Sequence, residues 1–190
     1  MSGPVRSLYK SISVCARLFL WGEVHIQRNR PLIERLMQQV RAAASGVQAV
    51  LLAVDGLAAY PQAALKAFHT KLHTGKPGRP RHLPWSDLHI VQVVKRYSGK
   101  TLTAIERRVV HGCRDRVDDL IAMSQTAFGL INTAYIERLN ATFRARLPAL
   151  ARRTRGLART VARLRAEMFW AGAVYNFCTM HESLGATPAM

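Results

Sequence analysis

Asp55 closes the apolar run VQAVLLAV, residues 47–54, and is followed at once by Gly56. Glu137 stands in INTAYIERLNATFRARL, residues 131–147, just ahead of a segment that holds nine arginines and no acidic residue from Arg138 through Arg165. A hard divalent cation takes such groups: Mg²⁺ binds one or two carboxylates together with water and substrate phosphates. A pair of ions can activate a water or hydroxyl and stabilise the leaving oxygen of an in-line phosphoryl displacement. Arg and Lys nearby hold the phosphates. Two carboxylates from different elements, amid so much positive charge, point to a hard-cation site for Mg²⁺, with Mn²⁺ as a substitute. Each carboxylate also has a plainer explanation. Asp is a favoured helix cap, and a helical pattern starts near Leu57, so Asp55 has two readings of equal standing. Glu137 lies at the edge of the apolar stripe Ile136, Leu139, Phe143 and Leu147, beside Asn140, Ala141 and Arg144. An ion pair with a basic neighbour one or two turns away accounts for it, and position alone favours that account.

The elements that must hold these groups follow from pattern and composition. The chain has 190 residues and 49 % hydrophobic content, which fits one domain with a real core. Apolar residues recur at helical spacing from Pro31 (Ile33, Leu36, Met37, Val40), with Pro in the favoured first turn. Residues 14–26 read as a strand or two with a turn near Gly22. The run 47–54 reads as a strand buried on both faces, and residues 57–69 as a helix disturbed at Pro61. A Pro/Gly-rich basic loop spans 73–85. Strands follow at 87–97 and 101–110, then a helix near 114–124 and the Glu137 helix, which Pro148 ends. A long helix covers roughly 156–180, with Leu157, Val161, Leu164, Met168, Ala171, Tyr175 and Cys178 on one seam. This order is α/β, and sites in open α/β sheets form beyond the carboxyl ends of the strands.

A net charge of +17 and a pI near 11.2 draw polyanions, nucleic acid first among them. No apolar run is long enough to span a membrane. The N-terminal apolar run is broken by Arg17 and followed by Glu23 without a small-residue cleavage site, so it reads as mature protein. Cys15, Cys113 and Cys178 are far apart and odd in number, which excludes a disulfide framework and suits a reducing cytoplasm. His69 and His73, four apart, lack the further ligands a zinc site needs. Arg79 and Arg81 in GKPGRPR have the makings of a minor-groove hook, or of a flexible basic loop.

The stretches AVDGLAAYPQA, NTAYIERLNATFRARLPALARRTR and YNFCTMHESLGATPA resemble the core of bacterial insertion-sequence transposases, the Asp-Asp-Glu enzymes with an RNase H-like fold. The match runs through Asp55, Gly56 and Tyr60, through Asn132, Thr133, Glu137, Arg138, Asn140 and Arg144, and through Tyr175, Asn176, His181, Ser183, Leu184, Thr187 and Pro188. It covers roughly residues 15–190. The resemblance implies one RNase H-like domain: a mixed sheet flanked by helices, an insertion at 98–130 before the Glu-bearing helix, and a long C-terminal helix. It implies that Asp55 and Glu137 are catalytic metal ligands for Mg²⁺ or Mn²⁺, and that the activity is DNA strand cleavage and 3′-OH strand transfer. Lys76, Arg79, Arg81, Arg138, Asn140, Arg144, Arg146, Arg152 and Arg153 are the expected DNA contacts. The partners would be transposon ends and target DNA, with a homo-oligomer as the active form and the bacterial nucleoid as its place. The family's first Asp has no counterpart, since Asp55 is the first Asp of the chain and Glu23 the one acidic candidate on an earlier strand. The chain is therefore expected to be N-terminally truncated. A DNA-binding remnant without catalysis and a basic RNA-binding or structural module are the alternatives.

Overall fold

The structure is a computed structural model and describes residues 7–25, 30–73, 75, 78–124, 129–131, 133–150 and 160–190. It is a mixed α/β chain that divides into two compact units, one from segments 1–40 and 134–190 and one from segment 41–133.

In the first unit β1 (Ser7–Ile12) pairs antiparallel with β2 (Phe19–His25). The turn lies before β2, where the Ser13 amide donates to Leu18 O at 2.8 Å and Arg17 takes a left-handed φ of 53°. The turn expected near Gly22 is not there. Gly22 is inside β2 for a packing reason: a Cβ at this point would strike the end of the Met168 side chain. One face of the hairpin carries α4 (Ala134–Arg146) and α5 (Val161–Cys178). Phe19, Val24, Leu139, Phe143, Leu147, Leu164, Met168, Ala171 and Tyr175 form one core. The Glu137 helix thus buries the stripe that its sequence pattern marks. The α5 seam also holds at Leu164, Met168, Ala171 and Tyr175, while Cys178 is exposed and Leu157 lies outside the described residues. Thr160 caps α5, its Oγ1 accepting from the Arg163 amide at 3.2 Å. Asn176 lends β2 what a further strand would: it donates to Phe19 O at 2.9 Å and accepts from the Phe19 amide at 2.8 Å. After α4 a 3-10 turn, Pro148–Leu150, follows. The amphipathic helix α1 (Arg30–Ala43) buries Leu32, Ile33, Leu36, Met37 and Val40, and the division between units falls in its last turn.

In the second unit β3 (Val50–Asp55) lies parallel to β6 (Leu88–Ser98), and β6 lies antiparallel to β7 (Thr101–His111). Here an expectation fails. Only Val54 of β3 is buried, because β3 pairs with β6 alone among the described residues. The strand buried through its first half is β6, from Leu88 to Val93, which has a neighbour on each side. Helix α3 (Arg114–Met123) covers the sheet through Val117 and Ile121 on Val91, with Leu51, Val109 and Ile131 alongside. Between β3 and β6 run α2 (Ala59–Ala67) and a second hairpin, β4 (His69–Leu72) with β5 (Arg81–Pro84). Pro61 sits in the first turn of α2, where no intrahelical N–H is required, and so does not disturb it. His69 is on β4 and not on a helix end; its ring stacks on His82 at 4.1 Å. The segment 73–85, expected as a loop, contains β5. No described helix is long and apolar enough to cross a membrane.

Candidate functional site

Asp55 ends β3, as its pattern predicts, and its side chain is exposed. Its Oδ1 accepts from the Leu57 amide at 3.0 Å, an Asx turn. It does not cap α2, which starts at Ala59 and has Ala58 at its cap position without a side-chain bond. The strand end is fixed from below by the buried Gln92 of β6, whose Nε2 donates to Asp55 O at 3.2 Å and Leu57 O at 3.3 Å. A rigid strand end thus presents the carboxylate to solvent, one oxygen engaged by the turn.

Glu137 is exposed in the first turn of α4, where the positive end of the helix dipole stabilises a carboxylate. Arg138, Arg144 and Arg146 are exposed on the same helix, turned away from the core face of Leu139 and Phe143. No carboxylate pairs with these three among the described residues. Arg146 Nη2 donates to Thr179 Oγ1 at 2.9 Å. Asn140 is half-buried, and its Oδ1 accepts from Lys10 Nζ at 2.8 Å, a strut between β1 and α4.

Arg79 and Arg81 are exposed at the start of the β5 arm of the second hairpin. With Lys71 and His69 on the opposite arm they make it a basic edge; burial, then His69, Arg79 and Lys71, depress the pKa of His82. Lys76, Asn132, Arg152 and Arg153 lie outside the described residues. Glu23, the acidic candidate on an early strand, is buried beside Tyr9 and held by Trp21 Nε1 at 2.9 Å and by Arg165 at 3.7 Å. Among the described residues no group of three or more His, Cys, Asp or Glu could hold a metal ion. Asp55 and Glu137 belong to different units.

Three features carry little signal in the sequence. Lys10 is a half-buried lysine over the Phe143 ring, 4.9 Å from its centroid. Asp87 on the way into β6 binds Arg116 of α3 at 2.8 Å and His89 at 2.6 Å. Arg17 and Arg138 line an open cavity with the C-terminal loop. A lone basic residue in a basic chain is indistinguishable from its neighbours until the fold places it; the left-handed φ at Arg17 has no sequence mark at all. Compared with protein-family models, curated proteins and solved structures, the chain matches none.

Proposed function

We propose that the chain is a DNA transposase of the Asp-Asp-Glu kind on an RNase H-like fold, acting by metal-dependent strand cleavage and 3′-OH transfer. The observation that carries the reading is the solvent face of α4: exposed Glu137 followed by exposed Arg138, Arg144 and Arg146 on a helix whose other face is core. Arginines there offer bidentate contacts to phosphates, and the carboxylate is the group a cation among phosphates needs. Asp55, on an exposed turn at the carboxyl end of a sheet strand, is of the second type required. Each donor is a carboxylate oxygen, the chemistry Mg²⁺ prefers, with water and substrate phosphate as the ion's usual other ligands. The bound ion would polarise the scissile phosphate and lower the pKa of an attacking water or hydroxyl. Arg138, Arg144 and Arg146 would orient the strand, with Arg79 and Arg81 as further phosphate contacts.

A second reading, DNA binding without cleavage, is favoured by the state of Glu23. That carboxylate is committed to Trp21 and Arg165, so it adds no third metal ligand.

The test compares wild type with Asp55→Asn and Glu137→Gln for cleavage of DNA in Mg²⁺ or Mn²⁺, with DNA binding measured beside it. Asparagine keeps an oxygen for the Leu57 amide, so the turn survives. Cleavage lost in both variants with binding retained is the result expected. No cleavage by wild type, with salt-sensitive DNA binding, selects the second reading. Preference for RNA without any need for a divalent ion overturns both.

A further inference from the structure

The first unit contains an open cavity of about 630 Å³ lined by Arg17, Arg138, Met180, His181, Glu182 and Ser183. Its wall is built, not frayed. The loop after α5 is closed by a bridge between His181 and Ala186, and His181 O accepts from the Leu184 and Gly185 amides, both at 2.9 Å. Gly185 makes the turn with a φ of 63°. His181 packs edge-on against Tyr175, ring centroids 4.9 Å apart, and its Nε2 is buried without a hydrogen-bond partner. Arg17 reaches the same wall from the β1–β2 turn. Its guanidinium donates to Ser183 Oγ and lies 5.6 Å from the centroid of the Tyr135 ring. A left-handed backbone at a non-glycine residue is strained, and here it delivers a cation to the cavity. Arg138 lines the cavity from α4.

We propose that this cavity is a phosphate-binding pocket, in which Arg17, Arg138, His181 and Ser183 hold a phosphate group of a nucleic-acid strand. The inference rests on the reading of the chain as a nucleic-acid-binding protein, and it identifies where one phosphate is gripped. Two guanidinium forks, an imidazole and a hydroxyl supply the donors that a tetrahedral, multiply charged oxyanion takes. Charge agrees with this. Burial, then the positive charges of Arg17, Arg138 and Arg146, hold His181 below the usual histidine pKa, so three arginines bear on one imidazole. Glu182 is the one acidic lining residue and opposes an anion; two lining arginines outweigh it. The volume exceeds that of a bare phosphate and leaves room for an attached sugar. The phosphate has two possible sources, the end of a strand or an internal phosphodiester.

The experiment has two parts. First, the His181 ring resonances of the full chain are followed by NMR against pH, with inorganic phosphate or with chloride at matched ionic strength. Phosphate should raise the apparent pKa of His181, because a bound anion offsets the arginines, and chloride should not. Arg138→Gln or Arg17→Gly should remove the effect; both sites are exposed or glycine-compatible, so the fold is kept. Arg79→Gln, on the other unit, should leave it intact. No response of His181 to phosphate in wild type overturns the proposal. Second, oligonucleotides with a 5′-phosphate or a 5′-hydroxyl are compared by fluorescence anisotropy. Tighter binding of the phosphorylated end by roughly tenfold, the scale of one charge-assisted hydrogen bond, lost in Arg138→Gln, supports the pocket with a strand end as source. Equal binding of both, weakened alike by Arg138→Gln, supports it with an internal phosphodiester. A phosphate response at His181 with no nucleic-acid binding at all sinks the nucleic-acid reading but leaves a phosphate site. Nucleic-acid binding unchanged by Arg138→Gln and Arg17→Gly sinks the strand-phosphate assignment while the nucleic-acid reading stands.

Discussion

Burial, with the positive charge of Arg144 adding to it, lowers the pKa of Lys10 from 10.5 to about 8. The ammonium is stabilised in part by Asn140 Oδ1 and by the face of Phe143, which is why it remains charged at neutral pH. A depressed lysine pKa means that the unfolded chain holds more protons than the folded one between about pH 8 and 10.5. Stability contributed by this group therefore rises with pH across that window. Lys10→Met should flatten that part of the stability-versus-pH curve, and the Lys10 Nζ resonances should titrate near 8 in the folded protein. A titration near 10.5 would mean that the side chain is solvated. The consequence for function lies at Asn140. This residue, expected from its motif to contact DNA, also receives a strut from a strand more than a hundred positions away, a link that only the fold reveals.

Among the elements, α3 is tied to the entrance of β6 through Asp87. Its bonds to Arg116 and to His89 hold the Asp87 carboxyl near 2, below its ordinary 3.8. Folded below unfolded is the acid case: the contribution is complete above about pH 4 and is lost as pH falls from there toward 2. Thermal melts from pH 2 to 6 should show wild type losing stability over that interval relative to Asp87→Asn; parallel curves would show that the ion pair does not couple α3 to the sheet. The elements differ in how far sequence pattern exposes them, for physical reasons. Helices α1, α4 and α5 bury a stripe with a 3.6-residue period, and that period is visible in the chain. The run 47–54 is as apolar as β6, yet burial depends on how many neighbours a strand has, and pairing is not written locally. Strands β4 and β5 are short and mostly polar, and β1 is short and half polar, so little in their composition separates them from loops.

Across the whole molecule, a net charge of +17 is shared by both units: α4 and the Arg17 cavity on one, the basic edge of the β4–β5 hairpin on the other. That charge, and the placing of Asp55 at a strand end and Glu137 on an amphipathic helix, are legible in the sequence. The cavity is not, because it joins a turn near residue 17, a helix near 138 and a loop near 182, and chain separation hides such meetings. Counterion release makes the footprint of a nucleic acid measurable without a complex structure. The logarithm of affinity falls linearly with the logarithm of salt, by roughly 0.9 per phosphate neutralised on duplex DNA. Removing one arginine that contacts a phosphate should lower that slope by about 1. Arg144→Gln and Arg81→Gln sample one unit each. If a single DNA duplex engages both units, each variant lowers the slope and the double variant lowers it by the sum. If DNA is held by the α4 surface alone, Arg81→Gln leaves the slope where it was while Arg144→Gln still reduces it. A flat salt response in wild type would remove phosphate contact as the source of affinity and, with it, the function proposed for the basic surface.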